Sequence, residues 1–188
     1  MRLFIAALVS EEVRHALATA QAQLQRVVPE RALRWVAPEN YHITLLFLGE
    51  QPEERLPEII TAMTQARAGI APFRIQVQGI GVFPNWNRPS VLWAGAKQGT
   101  VELTKIAVAL EQLLLPTPAD KPFHPHITLA RFKTERHDTD LVRKRLFDAV
   151  QRLLPADFGT YELRAISLMQ STLTPDGSIY TELERVEL

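Results

Sequence analysis

Two histidines of this chain stand in the same short context. His42-Ile43-Thr44-Leu45 recurs, residue for residue, as His126-Ile127-Thr128-Leu129, 84 positions further on. On a strand, residues i and i+2 point to one face. His42 then shares a face with Thr44, and His126 with Thr128, while Ile43, Leu45, Ile127 and Leu129 turn to an apolar face. Each strand offers one imidazole and one hydroxyl from a rigid element. With an ordinary pKa of about 6.5, one facing imidazole can be neutral while the other is protonated, giving a base and an acid at once. Threonine hydroxyls can donate to the non-bridging oxygens of a phosphate. The set suits phosphoryl transfer on a ribose cyclic phosphate, and the scheme requires no metal. A single His-x-Thr is a weak signal, more often surface or structural than catalytic; the pair in matching contexts carries the weight.

Other residues admit two readings. Arg131 follows His126 by five positions, either as a solvated strand end or as a guanidinium gripping phosphate. Strict alternation places Arg131 on the face opposite His126, so the second reading needs a bend or bulge. The equivalent position in the first half is Phe47, a core aromatic or a platform for a nucleobase. His124 shares parity with His126, which leaves open a metal pair, though no carboxylate stands at a familiar ligand spacing. His-Pro-His-Ile-Thr is also like the histidine-triad nucleotide hydrolases, but Thr128 takes the third histidine's place. Trp86, between Asn85 and Asn87, is a loop anchor or a base contact. His15 and His137 read as solvated, and the basic stretch Arg131, Lys133, Arg136, Arg143, Lys144, Arg145 reads as a solvated face able to steer an RNA end. There is no phosphate-binding P-loop and no Gly-x-Gly-x-x-Gly.

The elements that must position these groups alternate. Strands are predicted at Leu3–Leu8, Tyr41–Leu48, Phe73–Phe83, Val91–Ala96, His126–Phe132, Tyr161–Thr172 and Ile179–Val186, with a short extended piece at Arg34–Val36. Helices are predicted at Glu11–Val28, behind an N-capping Ser10, and at Glu53–Ala68, Thr100–Leu115 and Leu141–Leu154. A Pro-rich connector spans Leu115–Pro122, and Thr174-Pro175-Asp176-Gly177 is a turn. Each repeated tetrapeptide lies on a strand followed by a helix. The order fits an α+β domain whose two lobes, within residues 1–188, are related by a pseudo-two-fold.

Composition narrows the classes. The 188 residues, 46% hydrophobic, support a large core, with 21 basic and 21 acidic residues and no cysteine. Disulfides, thiolate metal sites and a cysteine nucleophile are excluded, and a reducing cytoplasm suits the chain. Zero net charge argues against wrapping nucleic acid and for local contact with a strand end by a monomer. The apolar run Leu3–Val9 is too short for a membrane span and reads as a strand.

These residues resemble the 2H phosphoesterases, closely the bacterial and archaeal RNA 2',3'-cyclic phosphodiesterases, long called 2'-5' RNA ligases. Arg34-Trp35-Val36-Ala37-Pro38-Glu39-Asn40-Tyr41-His42-Ile43-Thr44-Leu45-Leu46-Phe47-Leu48-Gly49 looks like the first signature of this branch, and Pro122-Phe123-His124-Pro125-His126-Ile127-Thr128-Leu129-Ala130-Arg131 like the second. Gly81-Val82-Phe83-Pro84 with Pro89-Ser90-Val91-Leu92-Trp93-Ala94-Gly95, and a tail containing Ser171-Thr172-Leu173, Gly177 and Tyr180, extend the match. The resemblance implies a bilobal, internally duplicated α+β fold with two antiparallel sheets flanking a central cleft and helices outside. It implies His42 as general acid, His126 as general base, Thr44, Thr128 and Arg131 on phosphate, and Phe47 on the base. No cofactor, metal or obligate protein partner is implied. The implied substrate is RNA with a 2',3'-cyclic phosphate end, or a cyclic nucleotide, opened to a 2'-phosphate, with reversible 2'-5' RNA ligation at the same site as a second reading. Two alternatives accompany this expectation: a non-catalytic module that binds RNA ends, and a phosphodiesterase for another small cyclic phosphate such as ADP-ribose 1'',2''-cyclic phosphate. His124 departs from the branch, where arginine is expected.

Overall fold

The computed structural model describes residues 1–29, 32–117, 121–133, 139–174 and 177–188. Its elements are β1 (Arg2–Leu8), α1 (Glu11–Gln25), β2 (Leu33–Trp35), β3 (His42–Glu50), α2 (Leu56–Ala66), β4 (Phe73–Phe83), β5 (Val91–Gln98), α3 (Thr100–Leu114), β6 (His126–Phe132), α4 (Thr139–Leu153), β7 (Asp157–Leu163), β8 (Ala165–Thr174) and β9 (Gly177–Glu187). Part of the connector before β6, and Pro175 and Asp176 of the predicted last turn, lie outside the described residues, as do Arg136 and His137.

The α+β class and the antiparallel pairing are as expected. The strands run β7-β4-β5-β6-β3-β1-β8-β9 across a curled sheet, with β2 beside β6. The two four-stranded halves, β7-β4-β5-β6 and β3-β1-β8-β9, meet through one residue pair, Ile43 opposite Ile127. The two sheets of the expectation are thus stitched at a single point, and the motif strands are the innermost strand of each. The apolar run near the N-terminus is β1, a central strand buried from Leu3 to Ala7.

One main core lies under the helical face. On α1 the buried set Val13, Leu17, Ala20, Gln21 and Leu24 follows helical spacing, and on α3 so do Leu103, Ile106, Ala107, Leu110 and Leu114. These stripes meet Ile43, Leu45, Ile127 and Leu129, the apolar face predicted for the motif strands. Ser10 caps α1 by accepting from the Val13 amide at 3.3 Å. The helix stops at Gln25, short of the predicted Val28, and Pro29 bars its continuation past that point.

The largest departure is near the C-terminus. The segment read as one strand over 161–172 is two strands, β7 and β8, broken at Arg164. No turn residue marks the break. β7 is the outer strand of one half, and β8 lies beside β1 in the other. One residue can connect such distant places in the strand order only because the sheet curls back on itself. The Leu188 amide donates to the Arg164 carbonyl at 2.8 Å, carrying the β8–β9 pairing up to the break.

Candidate functional site

The site grows from the Ile43–Ile127 pair. Carrying that antiparallel register one residue outward sets Thr44 across from His126, and His42 across from Thr128. Thr44 and His126 line one cleft of about 690 Å³, together with Phe47, Phe83, Phe123 and His124.

Bulges at matched positions complete each face. Along β6, Thr128 faces Trp93 and Ala130 faces Leu92, so Leu129 is the extra residue. Along β3, Thr44 faces Ala6 and Leu46 faces Ile5, so Leu45 is extra. Leu45 and Leu129 are equivalent in the internal repeat, 84 residues apart. After each bulge the alternation changes phase. His126, Thr128 and Arg131 lie opposite Gly95, Trp93 and Val91, which share one face of β5. His42, Thr44 and Phe47 lie opposite Leu8, Ala6 and Phe4, which share one face of β1. The bulge that Arg131 needed is present, and Phe47 is carried to the same face and is 61% exposed, which removes its reading as a core aromatic.

Both imidazoles are braced alike. His42 Nδ1 donates to the Asn40 carbonyl at 2.7 Å, and His126 Nδ1 donates to the His124 carbonyl at 2.7 Å. Each brace lies two residues before its histidine. A donating Nδ1 leaves Nε2 as the nitrogen for chemistry. His42 Nε2 is 2.9 Å from the Thr44 hydroxyl. Burial pushes both imidazoles below the ordinary histidine value, against the opposing pull of the carbonyl braces. A charge on His126 lowers His42 further, and His124 and Arg131 lower His126.

Sequence reasoning missed the rings that seat the histidines. Phe4 and Tyr180 pack on His42 with centroids 4.9 and 5.4 Å away. Phe83 and Trp93 pack on His126 at 5.0 and 6.3 Å. Trp93 fits because Gly81 leaves room; a Cβ there would collide with its indole. Partners of this kind are set by cross-strand pairing, and nothing in local spacing announces them. The braces were open to discovery, since Asn40 and His124 fall at equivalent positions of the repeat.

The remaining residues resolve as follows. Trp86 is a half-buried loop anchor, edge-on to Phe147 of α4 at 5.2 Å. His15 is exposed on α1. The rings of His124 and His126 are 6.2 Å apart, and among the described residues no group of three or more His, Cys, Asp or Glu could hold a metal ion. No described helix is long and apolar enough to cross a membrane.

Comparison with known proteins agrees with this duplicated arrangement. The profile of the LigT-like phosphoesterases matches residues 8–93 and 95–180, one copy over each half. The chain belongs to the LigT-like phosphoesterase family. It is 38% identical to an RNA 2',3'-cyclic phosphodiesterase of Archaeoglobus fulgidus, with all of both chains covered. A Thermus thermophilus RNA 2',3'-cyclic phosphodiesterase is also 38% identical, over all of this chain and 90% of the relative. Among solved structures, Escherichia coli LigT complexed with 3'-AMP superposes with a TM-score of 0.76 at 27% identity, covering 100% of this chain and 97% of that one.

Proposed function

We propose that this phosphoesterase hydrolyses the 2',3'-cyclic phosphate at the end of an RNA strand, by acid and base catalysis from two histidines. The observation that carries the reading is the matched pair of Nδ1-braced imidazoles, whose strands meet at one residue pair beside an aromatic cleft. The names of the relatives support the substrate class.

In this reading His126 Nε2 takes a proton from water as the water oxygen attacks phosphorus. The bond from phosphorus to the 3' oxygen breaks, and protonated His42 gives its Nε2 proton to that oxygen, leaving a 2'-phosphate. The roles follow the family resemblance. Arg131 and His124 beside His126 favour its neutral form, which is what a base needs. Arg131, Thr44 and Thr128 hold the non-bridging oxygens, and Phe47 supports the terminal base. Each imidazole ends with the other's starting charge, so one proton exchange with solvent resets the pair. With the 5'-hydroxyl of a second RNA in place of water, the same steps form a 2'-5' linkage and release the 3' oxygen. The two halves act here as one duplicated unit, since each supplies one histidine.

The test is hydrolysis of a short RNA ending in 2',3'-cyclic phosphate, with EDTA present, by wild type and by His126→Ala. An EDTA-resistant 2'-phosphate product, lost in the variant, is the expected result. Full activity in His126→Ala would end the two-histidine reading, and EDTA-sensitive activity restored by a divalent ion would end its independence of metal.

A further inference from the structure

The loop between β4 and β5 has two sides. Pro84 and Ser90 line the catalytic cleft, whereas Trp86 and Asn87 line a second, open cavity of about 570 Å³, with Asp140, Leu141, Arg143, Lys144 and Phe147 of α4. We propose that this cavity is a second nucleotide subsite, taking the nucleotide upstream of the cyclic-phosphate end. The inference rests on the proposed RNA activity and extends it from the terminal nucleotide to the strand behind it.

Four observations point there. First, the cavities share one short wall. Pro84 and Trp86 are two residues apart, so their Cα atoms lie within about 7 Å, and a strand leaving the cleft over Pro84 reaches Trp86 within a nucleotide or two. Second, the wall is fastened. Asn85 Oδ1 accepts from the Asn87 and Arg88 amides at 2.9 and 3.2 Å, and Ser90 donates to the Phe83 carbonyl through both its amide and its hydroxyl, at 2.6 and 2.9 Å. Arg143 donates to the Asn87 carbonyl at 3.2 Å, tying the loop to α4. Third, apolar surface is left open beside Trp86: Phe147 is 41% and Leu141 49% exposed. A nucleobase is a flat ring that stacks on such surface without regard to sequence.

Fourth, the charge fits a phosphate. The chain has no net charge, and the charged residues of the cavity wall are Arg143 and Lys144 against Asp140. Arg143 pairs with Asp140 at 3.4 Å and braces the loop, which gives it a structural task. Lys144 is exposed at the rim and is placed to meet the phosphate between the two nucleotides. Trp86 and Phe147 then anchor the loop and shape the subsite together.

The experiment compares a 2',3'-cyclic mononucleotide, which cannot reach the second cavity, with a trinucleotide ending in the same cyclic phosphate. Lys144→Glu and Phe147→Ala are tested separately; both positions are exposed, and thermal midpoints verify folding. The expected result is a KM for the trinucleotide raised about tenfold in each variant, with the mononucleotide unchanged. The trinucleotide's salt dependence should also flatten in Lys144→Glu. Equal change on both substrates, or change on neither, overturns the subsite. If wild type turns over neither substrate, the reading of the catalytic cleft fails instead. Fluorescence anisotropy with a 3'-phosphorylated trinucleotide then decides the subsite: weaker binding by Lys144→Glu supports it, and equal binding overturns it.

Discussion

At equivalent positions after equivalent bulges, the first half of the molecule carries Phe47 and the second carries Arg131. The same holds two residues before each motif histidine, where Asn40 stands against His124. The backbone repeats: a carbonyl brace, a histidine, a threonine, a bulged leucine and an outward side chain. The side chains at its edges do not. Around His42 the seat is Phe4 and Tyr180, and Asn40 donates to the Ser178 carbonyl of β9 at 2.9 Å. Around His126 it is Phe83 and Trp93, with the added positive charge of Arg131 and the ring of His124. The two imidazoles are braced alike, and their surroundings differ. In the proposed reaction one side takes the flat nucleobase and the other the anion.

The comparison breaks most sharply at the histidines themselves. His42→Ala and His126→Ala are each expected to lower kcat by about 10²–10⁴-fold. They should part company on a substrate whose leaving group needs no proton: activity returns in His42→Ala and stays lost in His126→Ala. The opposite pattern, read from single-turnover rates, would exchange the acid and base roles.

Arg131 and Phe47 come next. A charge-assisted hydrogen bond contributes about 1.5–3 kcal/mol, so Arg131→Ala should lower kcat/KM by roughly 10–150-fold, with or without a base on the substrate. Phe47→Ala should raise KM about tenfold for cyclic nucleotides and leave a base-free ribose cyclic phosphate unaffected. If both variants respond alike to removal of the base, the proposed division between the halves is wrong.

A smaller effect tests the support beneath His42. Tyr41 donates to Gln21 Oε1 at 2.5 Å, and the Gln21 amide donates to the Val36 carbonyl at 3.2 Å, fastening α1 to the start of β3. Tyr41→Phe leaves a buried amide oxygen without that donor and is expected to cost about 1–3 kcal/mol in urea unfolding. The second half has no tyrosine at the equivalent position, which is Pro125.

The smallest effect is in pH. Both imidazoles are held below their ordinary value, so kcat/KM should peak at a pH below about 6.5. The rising limb marks loss of the His126 proton, and the falling limb loss of the His42 proton. Arg131→Gln removes a positive neighbour of His126 and should move the rising limb to higher pH, leaving the falling limb in place. Folding favours the neutral imidazoles and the unfolded chain binds more protons. Stability should therefore decline as pH falls from about 6.5 through the depressed folded values, measured by urea titration.

Much of the site was legible before any coordinates. The repeated tetrapeptide marked both histidines and both threonines, because strand alternation converts sequence parity directly into a shared face. The apolar partners Ile43, Leu45, Ile127 and Leu129 marked the buried side by the same rule, and helical spacing on α1 and α3 marked what covers it. Parity also stated what Arg131 required, a change of phase between it and His126.

Tertiary structure decided the rest. Whether Leu129 bulges depends on how β6 pairs with β5, so the side to which Arg131 and Phe47 turn was open in one dimension. The aromatic seats come from strands far away in sequence, Phe4 and Tyr180 on one side, Phe83 and Trp93 on the other. The break at Arg164 has no turn residue to announce it and exists because β7 pairs with β4 while β8 pairs with β1 and β9. Local sequence sets which faces are apolar and which groups can move a proton. Only long-range pairing sets which strands are neighbours, and that brings the two copies of one motif side by side at Ile43 and Ile127.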